Sequence, residues 1–222
     1  FNESYSFILS DLQSKLNETQ TNYASRFFGR ELDPLKNAFS DLLKKQINTD
    51  SITIPDAKQI CQAYTYFYVY KHALPIGRVF FEKIERKLYI IQDSVQIKTR
   101  DGSTIQALVI RSKKITTPLP TILNFNIYIG SADKRLAKAA AINGYVGVVA
   151  NTRGKGLSPQ TIEPFEKDAS DAYDIIEWIS KQPWCNGSVG MYGGSYLGFS
   201  QWAAAKTLHP ALKTIIPQVA VG

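Results

Sequence analysis

Histidine and cysteine are each confined to two positions, His72 and His209, and Cys61 and Cys185. Two cysteines so far apart exclude a disulfide framework and a CxxC metal or redox site. No uninterrupted apolar stretch is long enough to cross a bilayer, so the sequence predicts no transmembrane segment, only a soluble or lipid-anchored protein. A long basic tract is also missing. The formal charge is +7 and the pI near 9.3, but the basic residues form only pairs such as Lys44-Lys45 and Lys113-Lys114, interrupted by acids. Such a pattern describes a solvated surface and excludes nucleic acid as a partner. There is no initiator methionine. Phe1 therefore reads either as the residue left by signal-peptide removal, which implies a secreted or periplasmic product, or as a cut end.

What remains is a chain of 222 residues, 44% hydrophobic and 12% aromatic, enough to bury a substantial core. Residues 1 to about 88 read as helical. Leu9, Leu12 and Leu16 recur at helical spacing, as do Leu32, Leu35, Phe39, Leu42 and Leu43, and a third segment begins behind Pro55-Asp56. It carries the run from Tyr64 to Tyr70, which reads as packed aromatics rather than a ligand-stacking platform. His72, just beyond, reads as structural.

From residue 89 short β-rich runs alternate with helical patterns, as in a doubly wound α/β sheet. Residues 93–99 and 104–110 flank an Asp-Gly turn and predict a hairpin. Strands are expected at 121–125, 145–150, 188–192 and 212–221, and helices at 133–143 and 196–208. A further helix carries the stripe Phe165, Ala169, Ala172, Ile175, Ile176 and Ile179, and Trp178, Trp184 and Trp202 are expected in the core. The organisation is thus a helical region, 1–88, followed by an α/β domain, 89–222.

The strand ending at Tyr192 runs straight into Gly193-Gly194-Ser195-Tyr196-Leu197-Gly198 and then a helix. A serine hydroxyl is a weak nucleophile unless a base activates it and backbone donors face the oxyanion that forms. A strand, a sharp turn and a helix present the hydroxyl at the sheet edge and direct the amide after the serine at the developing charge. The general pattern is G-x-S-x-G, and Leu197 stands where its last glycine belongs.

These residues resemble the X-Pro dipeptidyl-peptidase and cocaine esterase (CocE/NonD) family of α/β-hydrolases, which also includes α-amino-acid ester hydrolases and glutaryl acylases. The resemblance runs from about residue 93 to 217. It rests on Arg100-Asp101-Gly102, on Asn151-Thr152-Arg153-Gly154 and on the block from Ile175 through Gly198 to Gln201-Trp202 and His209-Pro210. Family members use G-x-S-Y-x-G, which Tyr196, Leu197 and Gly198 match. The resemblance implies Ser195 as the acylated nucleophile, the amide of Tyr196 as one oxyanion donor and the hydroxyl of Tyr128 as the second, although the family's R-x-P-Y segment here reads Asn-Ile-Tyr. Asn151 replaces the acid of the family's D-x-R-G loop, so Arg153 is expected to be structural first and site-lining second. Asp171 and Asp174 precede the nucleophile strand and are not expected as the triad acid.

The fold implied is an α/β-hydrolase sheet, incomplete at its C-terminus, preceded by the helical region. In this fold the order is serine, then acid, then histidine, so His209 is not the expected base. The acid, the histidine, a helical cap and a β-rich domain are expected beyond Gly222, in a missing C-terminal part of the same protein that acts as its partner. Small esters, amides or X-Pro-type peptides are the implied substrates, and no metal or organic cofactor is implied. The competing reading is a non-catalytic interaction protein that keeps the fold and binds through its helical region.

Overall fold

The computed structural model describes residues 2–220, Asn2 by its backbone alone; Phe1 and Val221, on which the processing boundary and the end of the last strand were placed, lie outside the described residues. The chain divides into two compact units, Phe1–Glu85 and Arg86–Gly222.

The first unit is helical: α1 (Asn2–Ser14), α2 (Glu18–Phe28), α3 (Asp33–Lys44) and most of α4 (Ile54–Leu88). Helix α2 has no counterpart among the sequence expectations. Its signal is a capping box: the Asn17 side chain accepts from the Gln20 amide and the Gln20 side chain accepts from the Asn17 amide. Leu9, Phe28, Leu74 and Phe81 form the buried cluster of this unit. Gly77 is required there, because a Cβ on it would lie 2.1 Å from the Phe28 ring. The leucine-rich face of α3, expected to pack, buries none of its residues fully. The aromatic run divides as a helix demands: Tyr64, Tyr66 and Tyr68 are exposed, while Tyr70 packs on the cluster. His72 lies against the Tyr68 ring.

In the second unit, β1 (Tyr89–Lys98) and β2 (Thr104–Ser112) form the expected hairpin, closed where Thr99 donates to the carbonyl of Ser103 and Gly102 takes a φ of 83°. The chain continues through β3 (Leu119–Asn126), α5 (Ser131–Ile142), β4 (Val146–Asn151), α6 (Asp168–Ser180), β5 (Cys185–Ser195), α7 (Tyr196–Ala205) and β6 (Leu212–Ala220). Spatially the strands run β1-β2-β4-β3-β5-β6, antiparallel across the first three and parallel from β4 to β6.

Helix α5 covers one sheet face, where Ala137 and Ala141 meet Ile110 and Val149. On the other face Ala172, Ile175, Ile176 and Ile179 of α6 and Ala204 of α7 pack on Val109, Leu123, Phe125, Val148 and Met191. Burial of each large aliphatic side chain contributes about 1.5–3 kcal/mol. A strand covered on both faces loses the polar alternation, and all six residues of β4 are accordingly buried.

Two expectations change here. Helix α6 begins at Asp168, not at Phe165, which takes a φ of 70° and stands in the preceding loop. A left-handed backbone cannot continue a right-handed helix, so the apolar stripe starts one turn later. Trp178 and Trp184 pack against the core, but Trp202 is 58% exposed on α7.

Helix α5 comes close to the sheet at Gly147 of β4, where an added Cβ would lie 2.1 Å from the carbonyl oxygen of Ala137. Gly147→Ala must push α5 off the sheet, and overpacking of this kind costs about 1–3 kcal/mol. Gly29, at an ordinary φ of −77° with nothing nearer than 3.6 Å to an added Cβ, is the control. Chemical denaturation should show the loss for Gly147→Ala and a change within about 0.5 kcal/mol for Gly29→Ala.

Candidate active site

Strand β5 turns into α7 at Ser195, whose φ of 57° and ψ of −125° lie outside the regions favoured by a residue with a Cβ. The side chain is exposed and does not cap α7. Tyr196 is the first residue of that helix, so its amide has no acceptor within the helix. The hydroxyl of Ser195 and the first amide of α7 therefore lie together at the carboxyl edge of the parallel strands.

Sterics explain the glycine pattern. A Cβ on Gly198 would lie 2.8 Å from the carbonyl oxygen of Gln218 and 2.9 Å from the Cα of Ala220, both on β6. Helix α7 thus presses on β6 at the third residue after the serine. Position 197 faces Gly193 instead, whose added Cβ would meet the Leu197 Cβ at 2.7 Å. The close-approach glycine has moved one residue along from its place in G-x-S-x-G, and a leucine fits where the general pattern has glycine.

Side chains from neighbouring elements hold the turn. Gln201, 1% exposed, donates through Nε2 to the carbonyls of Gly193 and Leu197 and accepts at Oε1 from the Ile216 amide, which joins β5, α7 and β6. Ser200 donates to the Phe125 carbonyl at 2.6 Å, and Asn124 donates through Nδ2 to the Tyr192 carbonyl at 2.7 Å. The sequence shows these only as polar residues inside apolar segments.

Tyr128 lies just beyond the carboxyl end of β3, the neighbour of β5 in the sheet. Its amide donates to Oδ1 of Asn126, and its carbonyl accepts from Nδ2 of Asn151, which also donates to Asp133 at 3.2 Å. Asn151, standing where the family has an acid, thus ties this loop to the start of α5. The Tyr128 side chain is 62% exposed, and its ring lies 6.4 Å from that of Tyr196, edge to face. Ser195, Tyr196 and Tyr128 are therefore brought to one edge of the sheet.

The acids of α6 face the same edge at helical spacing, and each is engaged. Asp168, which the sequence reading passed over, accepts from the Tyr196 hydroxyl at 2.9 and 3.0 Å. Burial pushes up both the Asp168 carboxyl and the Tyr196 hydroxyl, so the proton stays on the tyrosine. Asp171, 1% exposed, takes a two-pronged contact from Arg153, which also donates to Asp101 and Ser103 at 3.0 Å. Burial pushes the Asp171 carboxyl up, while the Thr99 hydroxyl, the Ser103 amide and Arg153 hold Asp101 well below the usual carboxylate range. Asp174 accepts from the Arg100 backbone amide and guanidinium. Arg100-Asp101-Gly102 and Arg153 therefore clasp the hairpin to α6.

His209 is 3% exposed in the turn between α7 and β6. Its Nε2 lies 3.1 Å from Glu177, and its Nδ1 accepts from the Ala211 amide. That turn is at the amino end of β6, whereas Ser195 pairs with Ala220 at the other end. From Val189, which pairs with Leu212, to Ser195 the strand rises about 20 Å at roughly 3.3 Å per residue. His209 and Ser195 are thus at opposite edges of the sheet. Among the described residues no group of three or more His, Cys, Asp or Glu side chains could hold a metal ion, and no helix is long and apolar enough to cross a membrane.

A mostly parallel sheet flanked by helices, with a serine on a strained strand-to-helix turn, defines an α/β-hydrolase. Residues 101–222 match the model of the X-Pro dipeptidyl-peptidase (S15) family, and the chain belongs to that family. It is 33% identical to a cocaine esterase of Rhodococcus over 138 residues, which is 60% of this chain and 24% of that protein. It is 30% identical to an Xaa-Pro dipeptidyl-peptidase of Lactobacillus delbrueckii over 92 residues, 35% of this chain and 11% of that protein. Among solved structures, a CocE/NonD family hydrolase from Staphylococcus aureus matches 60% of this chain and 28% of its own, with TM-score 0.53 and 26% identity. An α-amino acid ester hydrolase matches 60% and 25%, with TM-score 0.51 and 29% identity. The chain spans between 11% and 28% of the length of these relatives.

Arg153→Met leaves Asp171 buried without its counter-charge, a change that costs about 3–5 kcal/mol. The lost guanidinium raises the folded-state pKa of Asp171 further above its unfolded value. The folded protein then binds the proton more tightly, so the deficit is full above the folded pKa and shrinks as the pH falls toward the unfolded value of about 4. Denaturation at pH 5 and pH 8 should show the larger deficit at pH 8.

Proposed function

We propose that the intact protein is a serine hydrolase that cleaves an ester or amide through an acyl-enzyme on Ser195. The observation that carries this reading is the backbone of Ser195, held at φ 57° on an exposed residue beside the first amide of α7. A residue with a Cβ takes such a conformation at a cost of about 1–3 kcal/mol, which persists where the surroundings enforce it and the site uses it. Here Gln201 and the contact of Gly198 with β6 enforce it.

In this reading Ser195 Oγ attacks the substrate carbonyl, its proton passes to a base, and the oxygen of the tetrahedral intermediate accepts from the Tyr196 amide and the Tyr128 hydroxyl. Collapse of that intermediate breaks the ester or amide bond, and the departing alcohol or amine takes the proton from the base. Water then attacks the acyl-enzyme in the same way, which releases the carboxylic acid and restores the Ser195 hydroxyl. The relatives' names supply the candidate substrate classes: acyl esters, α-amino acid esters and X-Pro peptides.

The acid and histidine are proposed to follow Gly222 in the intact protein. Three points support this: the order serine, acid, histidine of the fold, the position of His209 at the far edge, and the short span of this chain against its relatives.

In the intact protein a fluorophosphonate should label Ser195, and Ser195→Ala should abolish labelling and ester hydrolysis. Tyr128→Phe should slow acylation on the order of 10²-fold, the usual effect of removing one oxyanion donor. An intact, folded protein that leaves Ser195 unlabelled would return the chain to the interaction reading. Residues 1–222 alone should turn over ester several orders of magnitude more slowly than the intact protein. Equal turnover would locate the base within this segment.

A further inference from the structure

Phe165 is a bulky residue at a φ of 70°, a left-handed backbone uncommon for any residue with a Cβ, yet its side chain is 51% exposed. Core packing does not account for that combination. The surroundings hold the backbone in place: its amide donates to the Tyr196 hydroxyl at 3.4 Å, and that hydroxyl donates in turn to buried Asp168. The ring stands over the aromatic residues at the start of α7, 5.1 Å from Tyr196 and 4.8 Å edge to face from Phe199. Tyr128 meets the same Tyr196 ring at 6.4 Å and is likewise exposed. Buried Tyr196, the residue after Ser195 in the chain, thus carries the partly exposed rings of Phe165 and Tyr128 against its own.

We propose that Phe165 is a specificity-determining wall of the Ser195 site, selecting substrates that carry a ring-sized apolar group over those with a methyl in its place. The inference rests on Ser195 being the nucleophile. A ring laid against the exposed half of Phe165 gains edge or stacked contacts that a methyl cannot make, and differences of this size change selectivity about tenfold or more. The strained backbone and the contacts of the ring with Tyr196 and Phe199 fix its position, so little ordering is left to be done when substrate binds.

The test compares kcat/KM of the intact wild-type protein, Phe165→Ala and Phe165→Tyr on ethyl acetate, ethyl phenylacetate and benzyl acetate, with fluorophosphonate labelling of Ser195 measured on each. The first two esters differ in the acyl group and the third carries the ring on the leaving group. The wild type should prefer at least one ring-bearing ester to ethyl acetate. Phe165→Ala should lower that preference, read as the ratio of kcat/KM to that on ethyl acetate, on the order of tenfold, and Phe165→Tyr, which keeps the ring, should preserve it. A wild type with no preference for either ring-bearing ester overturns the proposal, as does a preference unchanged in Phe165→Ala. A parallel fall on all three esters with lowered thermal stability makes Phe165 a packing residue and also overturns it. Absence of labelling at Ser195 in the wild type removes the nucleophile reading, and this inference with it.

Discussion

The contact between Gly198 and strand β6 sets the position of helix α7, and with it the backbone of Ser195. A helix that begins directly at the end of a strand must reverse course within a residue or two, and only a close approach to the neighbouring strand keeps that reversal tight. Gly198 permits the approach because nothing larger than a hydrogen fits beside Gln218 and Ala220. Gln201 then holds the same three elements together from inside. The place of the serine at the sheet edge and its strained φ both follow from this one approach.

A second constraint is electrostatic. The loops that arrive at the carboxyl edge carry arginines, and α6 presents three acids to them at intervals of three residues. Arg100 takes Asp174, Arg153 takes Asp171, and the Tyr196 hydroxyl takes Asp168. A buried charge without a partner is expensive, so each pairing makes its loop's position definite. The hairpin turn, the loop after β4 and the first turn of α7 are thereby referenced to a single helix.

Sheet, helices and the serine turn were legible because their signals are local. Apolar runs of strand length, the Asp-Gly turn and the Gly-Gly-Ser-Tyr-Leu-Gly block need no knowledge of distant residues. Less was visible where the deciding contact is long-range. Phe165 extends the apolar stripe of α6 by spacing alone, and only its bond to Tyr196, thirty-one positions away, takes it out of the helix. Trp202 looks like core by composition, yet the face of α7 that carries it is not the face packed on the sheet. Helix α2 was missed because its apolar residues are few, although Asn17 and Gln20 mark its start. Tyr128 came from resemblance, since a tyrosine after a strand carries no signal of its own.

The pairing of Ser195 with Ala220 has a consequence for the order of assembly. Strands β3, β4 and β5 can associate as soon as each is available, but the turn at Ser195 acquires its geometry only once β6 has docked against Gly198. During synthesis that strand is the last described element of the chain to emerge, and domains fold as their segments become complete. Until then the serine belongs to an ordinary flexible loop. The hydroxyl of Ser195 is therefore presented late, after the core beneath it has formed.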